Sequence, residues 1–356
     1  MSRPAIAAPA LTFLGDLVAP DWGVPHLTGW RRWLGDSVPV VNLEGPIVAD
    51  FAQPKPRSYV KFNLASVPGV LDAFPGAAIC TIANNHYEDF ADIVPPERLR
   101  PDLTVIGDRA GTPGVCTVSG RKVVLVGLCF PATDPVRWRV AGRIAIEAPS
   151  RALRRLEAVR RNHPDATLIA VVHWGYEFSA LPFPADRAWT RRAFDAGVDC
   201  VIGHHPHVIQ PIERFGEKTV AYSLGNFYMP NGDYFGNHLD FEPACDQGLA
   251  VRFDGSSLTP FVTVPDYKTG DIAIQPADDR VVAPFAGQTD RAYRDYFRDQ
   301  VRARRARVPS AIPPIESYFG WGGLRETAFF AWQDARQFAR DTLLRLGIRN
   351  PYRKPA

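Results

Sequence analysis

An α/β fold is predicted by two features of this 356-residue chain. Short runs rich in Val, Ile, Leu and Phe recur along it, several of them continuous, as in strands covered on both faces. Between these runs lie segments with helical spacing and helical end signals. A third observation concerns function: six of the runs end in Asp, Glu, Asn or His, mostly beside a glycine.

In chain order, strands are predicted at 11–16, 38–44, 77–84, 103–108, 122–130, 167–175, 198–204, 219–227, 249–254 and 258–264. Helices are predicted at 66–74, where Ser66 reads as the cap, and at 149–162, with apolar positions 153, 156 and 159. Another is predicted at 184–197, which starts at Pro184 and stops at Gly197. Two sheets in one sandwich would accommodate so many strands. Residues 1–280 form the expected catalytic domain, and 281–356 an arginine-rich helical C-terminal extension. Pro-rich 309–315 splits that extension into two amphipathic patterns. The first carries Tyr293, Phe297 and Val301; the second carries Leu324, Ala328, Ala331, Trp332, Ala335, Phe338 and Leu346. Either they pack on the core or their arginines contact an anionic surface. Residues 229–248, rich in Gly, Asp and aromatics, read as a lid or a plain connection.

Composition is that of an ordinary globular chain, 46% hydrophobic and 22% charged. A net charge of only +3 gives no general attraction for nucleic acid, and no such partner is expected. The charge is uneven: from Arg291 onward it is +8, leaving −5 for the rest. Five cysteines form no CxxC pair, which fits a reducing compartment and a cytoplasmic location. No run reaches the roughly 18 to 20 apolar residues of a membrane span. The first fifteen residues have the make-up of a short signal peptide, but Asp16 follows at once and is expected to be needed, so they should be retained.

The polar strand ends are "LTFLGD", "VVNLEGP", "CTIANNH", "IAVVHWGYE", "CVIGHHPH" and "AYSLGNF". In α/β folds, sites gather at the carboxyl ends of strands. Carboxylate, amide and imidazole donors are those that bind divalent cations of intermediate hardness. In this order, "FLGD", "NLEGP", "ANNH", "HWGYE", "GHHPHVIQ" and "SLGNF" resemble the CapA-type capsule and poly-γ-glutamate synthesis proteins of the calcineurin-like metallophosphoesterase superfamily. The resemblance runs from about Leu11 to Tyr228.

It implies a four-layer αββα two-sheet sandwich of metallophosphatase type, with one or two divalent transition metals (Mn²⁺, Fe or Zn²⁺). Carried over onto these positions, it makes Asp16, Glu44, Asn85, His173, His205 and His207 metal ligands, with His205 and His207 serving one metal each. His86 becomes the catalytic group at the leaving oxygen. Asn84, Tyr176, Glu177, His204 and Asn226 are candidate substrate contacts, and Arg57 and Lys61 read as anion contacts or plain surface charge. His26 reads as packing and His163 as a solvated helix end.

One position departs from the superfamily pattern: the first motif is usually Asp-x-His, and Val18 stands where the His belongs, a histidine that the CapA branch commonly lacks too. Asn42, His204 and His238 are the candidates to replace that ligand. The leading reading is a metal-dependent phosphoester hydrolase acting on a phosphate-containing or anionic polymer substrate. The alternatives are a non-hydrolytic factor for poly-γ-glutamate or capsule assembly and export, and a metal-dependent hydrolase of an amide or polymer bond.

Overall fold

The computed structural model describes residues 6–22, 28–56, 63–74, 76–130, 143–144 and 146–307, with three isolated positions beyond. His26, Arg57, Lys61 and the second tail pattern lie outside the described residues, except Ala335, which is helical and exposed.

The described strands, in chain order, are β1 (Ile6–Ala8), β2 (Leu11–Leu17), β3 (Val38–Leu43), β4 (Ile47–Val48), β5 (Ile79–Thr81), β6 (Ile93–Val94) and β7 (Thr104–Ile106). Then come β8 (Gly114–Val118), β9 (Arg121–Cys129), β10 (Thr167–His173), β11 (Cys200–His204), β12 (Ile209–Phe215) and β13 (Lys218–Leu224). The last are β14 (Asn226–Tyr228), β15 (Gly232–Tyr234), β16 (Asn237–Leu239), β17 (Gly248–Phe253), β18 (Leu258–Asp266) and β19 (Asp271–Pro276). The α-helices are α1 (Thr28–Leu34), α2 (Pro96–Leu99), α3 (Pro149–Asn162), α4 (Pro184–Asp195) and α5 (Asp290–Arg307).

Two sheets carry the fold. The first runs β1-β8-β9-β10-β11-β13-β12, with β9, β10, β11 and β13 parallel. The second runs β19-β18-β17-β2-β3-β5-β7, with β2, β3, β5 and β7 parallel and β14 paired to β2. The period-two alternation of each strand sorts its side chains between two cores. On β9 and β10, Val123, Leu125, Ile169 and Val171 face Phe13, Val40 and Ile79 of the second sheet. Their neighbours Val124, Val126, Leu168 and Ala170 face outward, onto Leu153 and Leu156 of α3 and Trp189 of α4. On the far side, Leu14, Val41 and Cys80 pack under Trp30 of α1 and Leu71 and Phe74. The architecture is therefore helix, sheet, sheet, helix. Each large aliphatic or aromatic side chain removed from water contributes about 1.5–3 kcal/mol.

Local predictions differ from the structure at two places. The 66–74 helix is a 3₁₀ turn over Pro68–Ala73, and Ser66 does not cap it; its hydroxyl accepts the Ala19 N–H instead. Pro68 and Gly69 leave too short a helix-forming segment for an α-helix. Residues 229–248 are not one long loop: they hold the β15–β16 hairpin, with Tyr234, Leu239 and Phe241 buried. His163 is half-buried and ends α3, its N–H bonded to the Val159 carbonyl.

Tyr293 and Phe297 of α5 are buried on the outer face of the first sheet. Arg187 of α4 binds this segment from below. Its guanidinium is fully buried and pairs with Glu213 at 2.6 and 2.9 Å, and it also donates to the Gln288 carbonyl and to Asp290. The Tyr222 hydroxyl donates to the same Glu213 at 2.7 Å. All five cysteines are buried and unpaired. No helix among the described residues is long and apolar enough to cross a membrane.

Candidate metal centre

The parallel strands of both sheets end at one edge, and the polar residues predicted there come together. On β2 the register shifts between Leu14 and Asp16. Gly15 makes the close approach possible: a Cβ there would lie 2.3 Å from the Gly225 carbonyl oxygen. The Asp16 N–H donates to that carbonyl at 2.9 Å, which fixes the carboxylate at the mouth of the sandwich.

Asn42 holds two carboxylates with one amide group, donating to Asp16 Oδ1 at 2.8 Å and to Glu44 Oε2 at 2.7 Å. Its oxygen accepts from Asn84, which also donates to the Leu43 carbonyl. Asn84 Oδ1 in turn accepts the Gly45 and His86 N–H groups. Asn84, expected among the substrate contacts, is thus a buried brace for the loops after β3 and β5.

His173 ends β10 and His204 ends β11, side by side in register. His204 Nδ1 donates to Asp16 Oδ1 at 2.9 Å, so it orients the carboxylate from behind. His205 and His207 were expected to project together from an extended strand end. The backbone instead turns there, with φ of 101° and 57°. Non-glycine residues in such conformations cost of order 1–3 kcal/mol each and cluster at functional sites. The turn brings His205 within 4.7 Å of the His173 ring and 6.0 Å of the His207 ring, between centroids.

Two groups of ligating atoms result, in each of which the atoms lie within 4.8 Å of one another: Asp16, Glu44 and His173, and Glu177, His205 and His207. Asn85 joins the first, its Oδ1 2.6 Å from His173 Nε2. Asn226, a proposed substrate contact, is fully buried; its Oδ1 meets His207 Nδ1 at 3.0 Å and its amide donates to the Cys245 carbonyl. Tyr176 is half-buried and stacks on Phe183. His238, a candidate replacement ligand, sits on the exposed β15–β16 hairpin and pairs with Asp233, away from these groups.

The electrostatics are those of a site short of positive charge. Burial opposes ionisation of Asp16, but hydrogen bonds from His204 and His207 outweigh it and hold the carboxyl well below its usual range. Burial and the Asp16 charge push Glu44 up to about 8. Burial and the neighbouring His207 bring His205 down to about 3, and burial and His205 hold His173 well below the ordinary imidazole value. Neutral imidazoles are the form that ligates metal. Glu44 Oε1, His173 Nδ1 and His205 Nδ1 are buried with no hydrogen-bond partner among the described residues. Orphaned buried polar atoms of this kind are costly unless a ligand meets them. The donor set therefore fits divalent cations.

His86 stands beside this centre, feeling the charges of Glu44 and Glu177. Its Nδ1 meets Asp89 Oδ2 at 2.8 Å, and that oxygen also accepts the Leu64 N–H. Burial opposes the charged imidazolium, but Asp89 outweighs it and raises the pKa. Sequence reasoning missed Asp89, although the i, i+3 spacing in "HYED" was the available signal.

Fold and site together define a two-sheet α/β protein with two adjoining side-chain groups able to hold divalent metal. Residues 103–231 match the family model described as bacterial capsule synthesis protein PGA_cap, a stretch that includes His173, Glu177, His205 and His207. The chain is 26% identical over 212 residues to the Bacillus anthracis capsule biosynthesis protein CapA, covering 54% of this chain and 50% of that one. It is 40% identical over 72 residues to the PGA biosynthesis protein CapA of Bacillus subtilis, covering 20% and 19%. It is 27% identical over 257 residues to a Mycobacterium tuberculosis polyglutamine synthesis accessory protein, covering 61% and 64%. By these matches the chain is similar, over part of its length, to CapA-type capsule synthesis proteins. It spans about half the length of the Bacillus anthracis relative. Among solved structures, Haemophilus influenzae NAD nucleotidase aligns at TM-score 0.31 and 13% identity, over 86% of this chain and 69% of that one. A Staphylococcus aureus structure described as a 5′-nucleotidase with α-ketoglutarate aligns at TM-score 0.36 and 13% identity, over 82% and 59%.

Proposed function

We propose that the chain is a metal-dependent phosphoester hydrolase acting on a phosphate-containing or anionic polymer substrate. The observation that carries this reading is the pair of adjoining buried donor groups with the His86–Asp89 pair at their edge. Asp16, Glu44, Asn85 and His173 would hold one cation; His205 and His207, expected to serve one metal each, fall in one donor group and would both contribute to a second. Divalent cations bound there would neutralise phosphoryl charge and lower the pKa of water. Asn42 and His204 keep the two carboxylates in place, so little reorganisation is needed when substrate arrives. His86, held protonated by Asp89, gives a proton to the leaving oxygen from Nε2. Its Nδ1 is engaged by the carboxylate, which fixes the ring's orientation.

A second reading is an assembly factor for poly-γ-glutamate or capsule polymer that does not hydrolyse it. The names of the curated relatives favour it, as does Val18 at the first-motif position. The five buried, unpaired thiols support placement in a reducing compartment. One experiment separates the two function readings. Protein purified without chelator is analysed for Mn, Fe and Zn, then assayed on phosphomonoesters, phosphodiesters and poly-γ-glutamate. Metal with phosphoester turnover supports hydrolysis; metal with polymer binding and no turnover on any substrate supports the assembly role.

A further inference from the structure

We propose that Glu177 is a metal ligand, supplying a carboxylate in place of the imidazole that residue 18 lacks. The inference rests on the metal-dependent reading above and concerns how its second cation is held.

The β2 end offers no second donor. The Val18 side chain is fully buried among Leu64, Val208, Met229 and Tyr234, and its N–H donates to the Tyr228 carbonyl at 2.8 Å. The three residues that sequence suggested as replacements are committed elsewhere. Asn42 spends both amide hydrogens on Asp16 and Glu44, His204 bonds Asp16 and falls in neither group of ligating atoms, and His238 is exposed on the hairpin.

Glu177, by contrast, is carried to the centre by backbone links between two loops. The Trp174 N–H donates to the His204 carbonyl at 3.1 Å, and the Phe178 N–H donates to the Pro206 carbonyl at 2.8 Å. The turn between them passes through Gly175 at φ +83°, a conformation that favours glycine. Glu177 is thereby set beside Pro206, between His205 and His207, and one ligating atom from each of the three falls within 4.8 Å of the others.

The two imidazoles are prepared to bind. Asn226 donates its amide to the Cys245 carbonyl, so its oxygen faces His207. That oxygen and Asp16 Oδ2 both accept from His207 Nδ1, which therefore carries the hydrogen and leaves Nε2 as the free donor atom. His205 Nδ1 is buried without a partner among the described residues. Two imidazoles and one carboxylate would make a three-ligand set for a divalent cation, which would displace the extra proton that His207 holds in the metal-free protein. A carboxylate oxygen in place of an imidazole nitrogen also moves a site toward harder cations such as Mn²⁺.

The test uses the full chain, stripped with chelator and titrated with Mn²⁺ alone. Bound metal per chain is read by elemental analysis and affinity by calorimetry, with circular dichroism to check folding. Glu177→Gln preserves shape and removes the charge. It should weaken the second Mn²⁺ by about 100-fold or more, above the range seen when merely supporting groups are removed, while the first ion stays. His173→Ala should show the converse. If Glu177→Gln binds Mn²⁺ with unchanged stoichiometry and affinity, Glu177 is no ligand, whatever happens to turnover. If the wild-type chain takes up one ion that Glu177→Gln retains, Glu177 is again excluded, though the metal-dependent reading survives. If the wild-type chain takes up none, both fall.

Discussion

Two clusters of buried charge flank the first sheet, and they differ in what they leave unmet. On the outer face, Arg187 finds Glu213, Asp290 and the Gln288 carbonyl, and Glu213 also accepts from Tyr222. At the carboxyl edge, Glu44, His173 and His205 each keep a buried atom without a partner among the described residues. A satisfied cluster in a low-dielectric interior holds the fold together. An unsatisfied one, sitting on a turn with two strained histidines, is a site waiting for a ligand. Burial alone does not tell them apart; the count of completed hydrogen bonds does.

Breaking the satisfied cluster should give the largest effect. Arg187→Ala leaves Glu213 buried and unpaired, which costs about 3–5 kcal/mol. Urea unfolding should show that loss, while metal uptake per folded chain stays at the wild-type value. An Arg187→Ala protein as stable as wild type would end the contrast.

His86→Ala should act on turnover instead. Loss of a positioned general acid costs about 10²- to 10⁴-fold. Metal content and melting temperature should hardly change. Metal stripped by this substitution would mean that His86 belongs to the ligand set rather than beside it.

The smallest effect is a pH dependence that only the unsatisfied cluster carries. In metal-free protein Glu44 is raised to about 8 and His207, by its bonds to Asp16 against the cost of burial, to about 9. Raised groups stabilise the fold at low pH, and that contribution is lost as pH climbs from 4.5 to about 8 for Glu44 and from 6.5 to about 9 for His207. His205, depressed to about 3, and His173 act with the opposite sign, removing stability as pH falls below the free imidazole value of about 6.5. Chelator-treated protein should therefore melt highest at about pH 6.5 and lower toward pH 9. Saturating Mn²⁺ should abolish the alkaline decline, because the cation stabilises the deprotonated ligands. An alkaline decline that persists unchanged with Mn²⁺ would count against these residues as ligands.

Much of this was legible in the sequence because strand cores and strand ends differ in chemistry. The apolar runs predicted β2, β3, β9, β10, β11 and β13, and their polar ends predicted where Asp16, Glu44, His173 and His204 meet. What escaped is what alternation cannot carry. β12, "IQPIERF", has Pro211 and charged residues because it is an antiparallel edge strand, where a missing N–H is tolerated. β1 is three residues long. Asp89 and Glu177 sit in loops, so their places depend on contacts with Leu64 and Pro206 that no local pattern reveals. Asn84 and Asn226, read from the sequence as substrate contacts, are buried braces whose partners lie far along the chain.

The buried cysteines have a kinetic consequence. The thiolate, not the thiol, attacks a labelling reagent, and burial pushes Cys116 up to about 11 and Cys80 and Cys245 up to about 12. While the chain stays closed, labelling is therefore slow at every one of these positions. Each cysteine then reports how often its own surroundings open. Cys80 lies in the second sheet, Cys200 in the first, and Cys245 beside the amide that orients His207. Labelling rates at these three thiols, with and without Mn²⁺, would time the breathing of each sheet and of the metal centre separately, from a single unmodified chain.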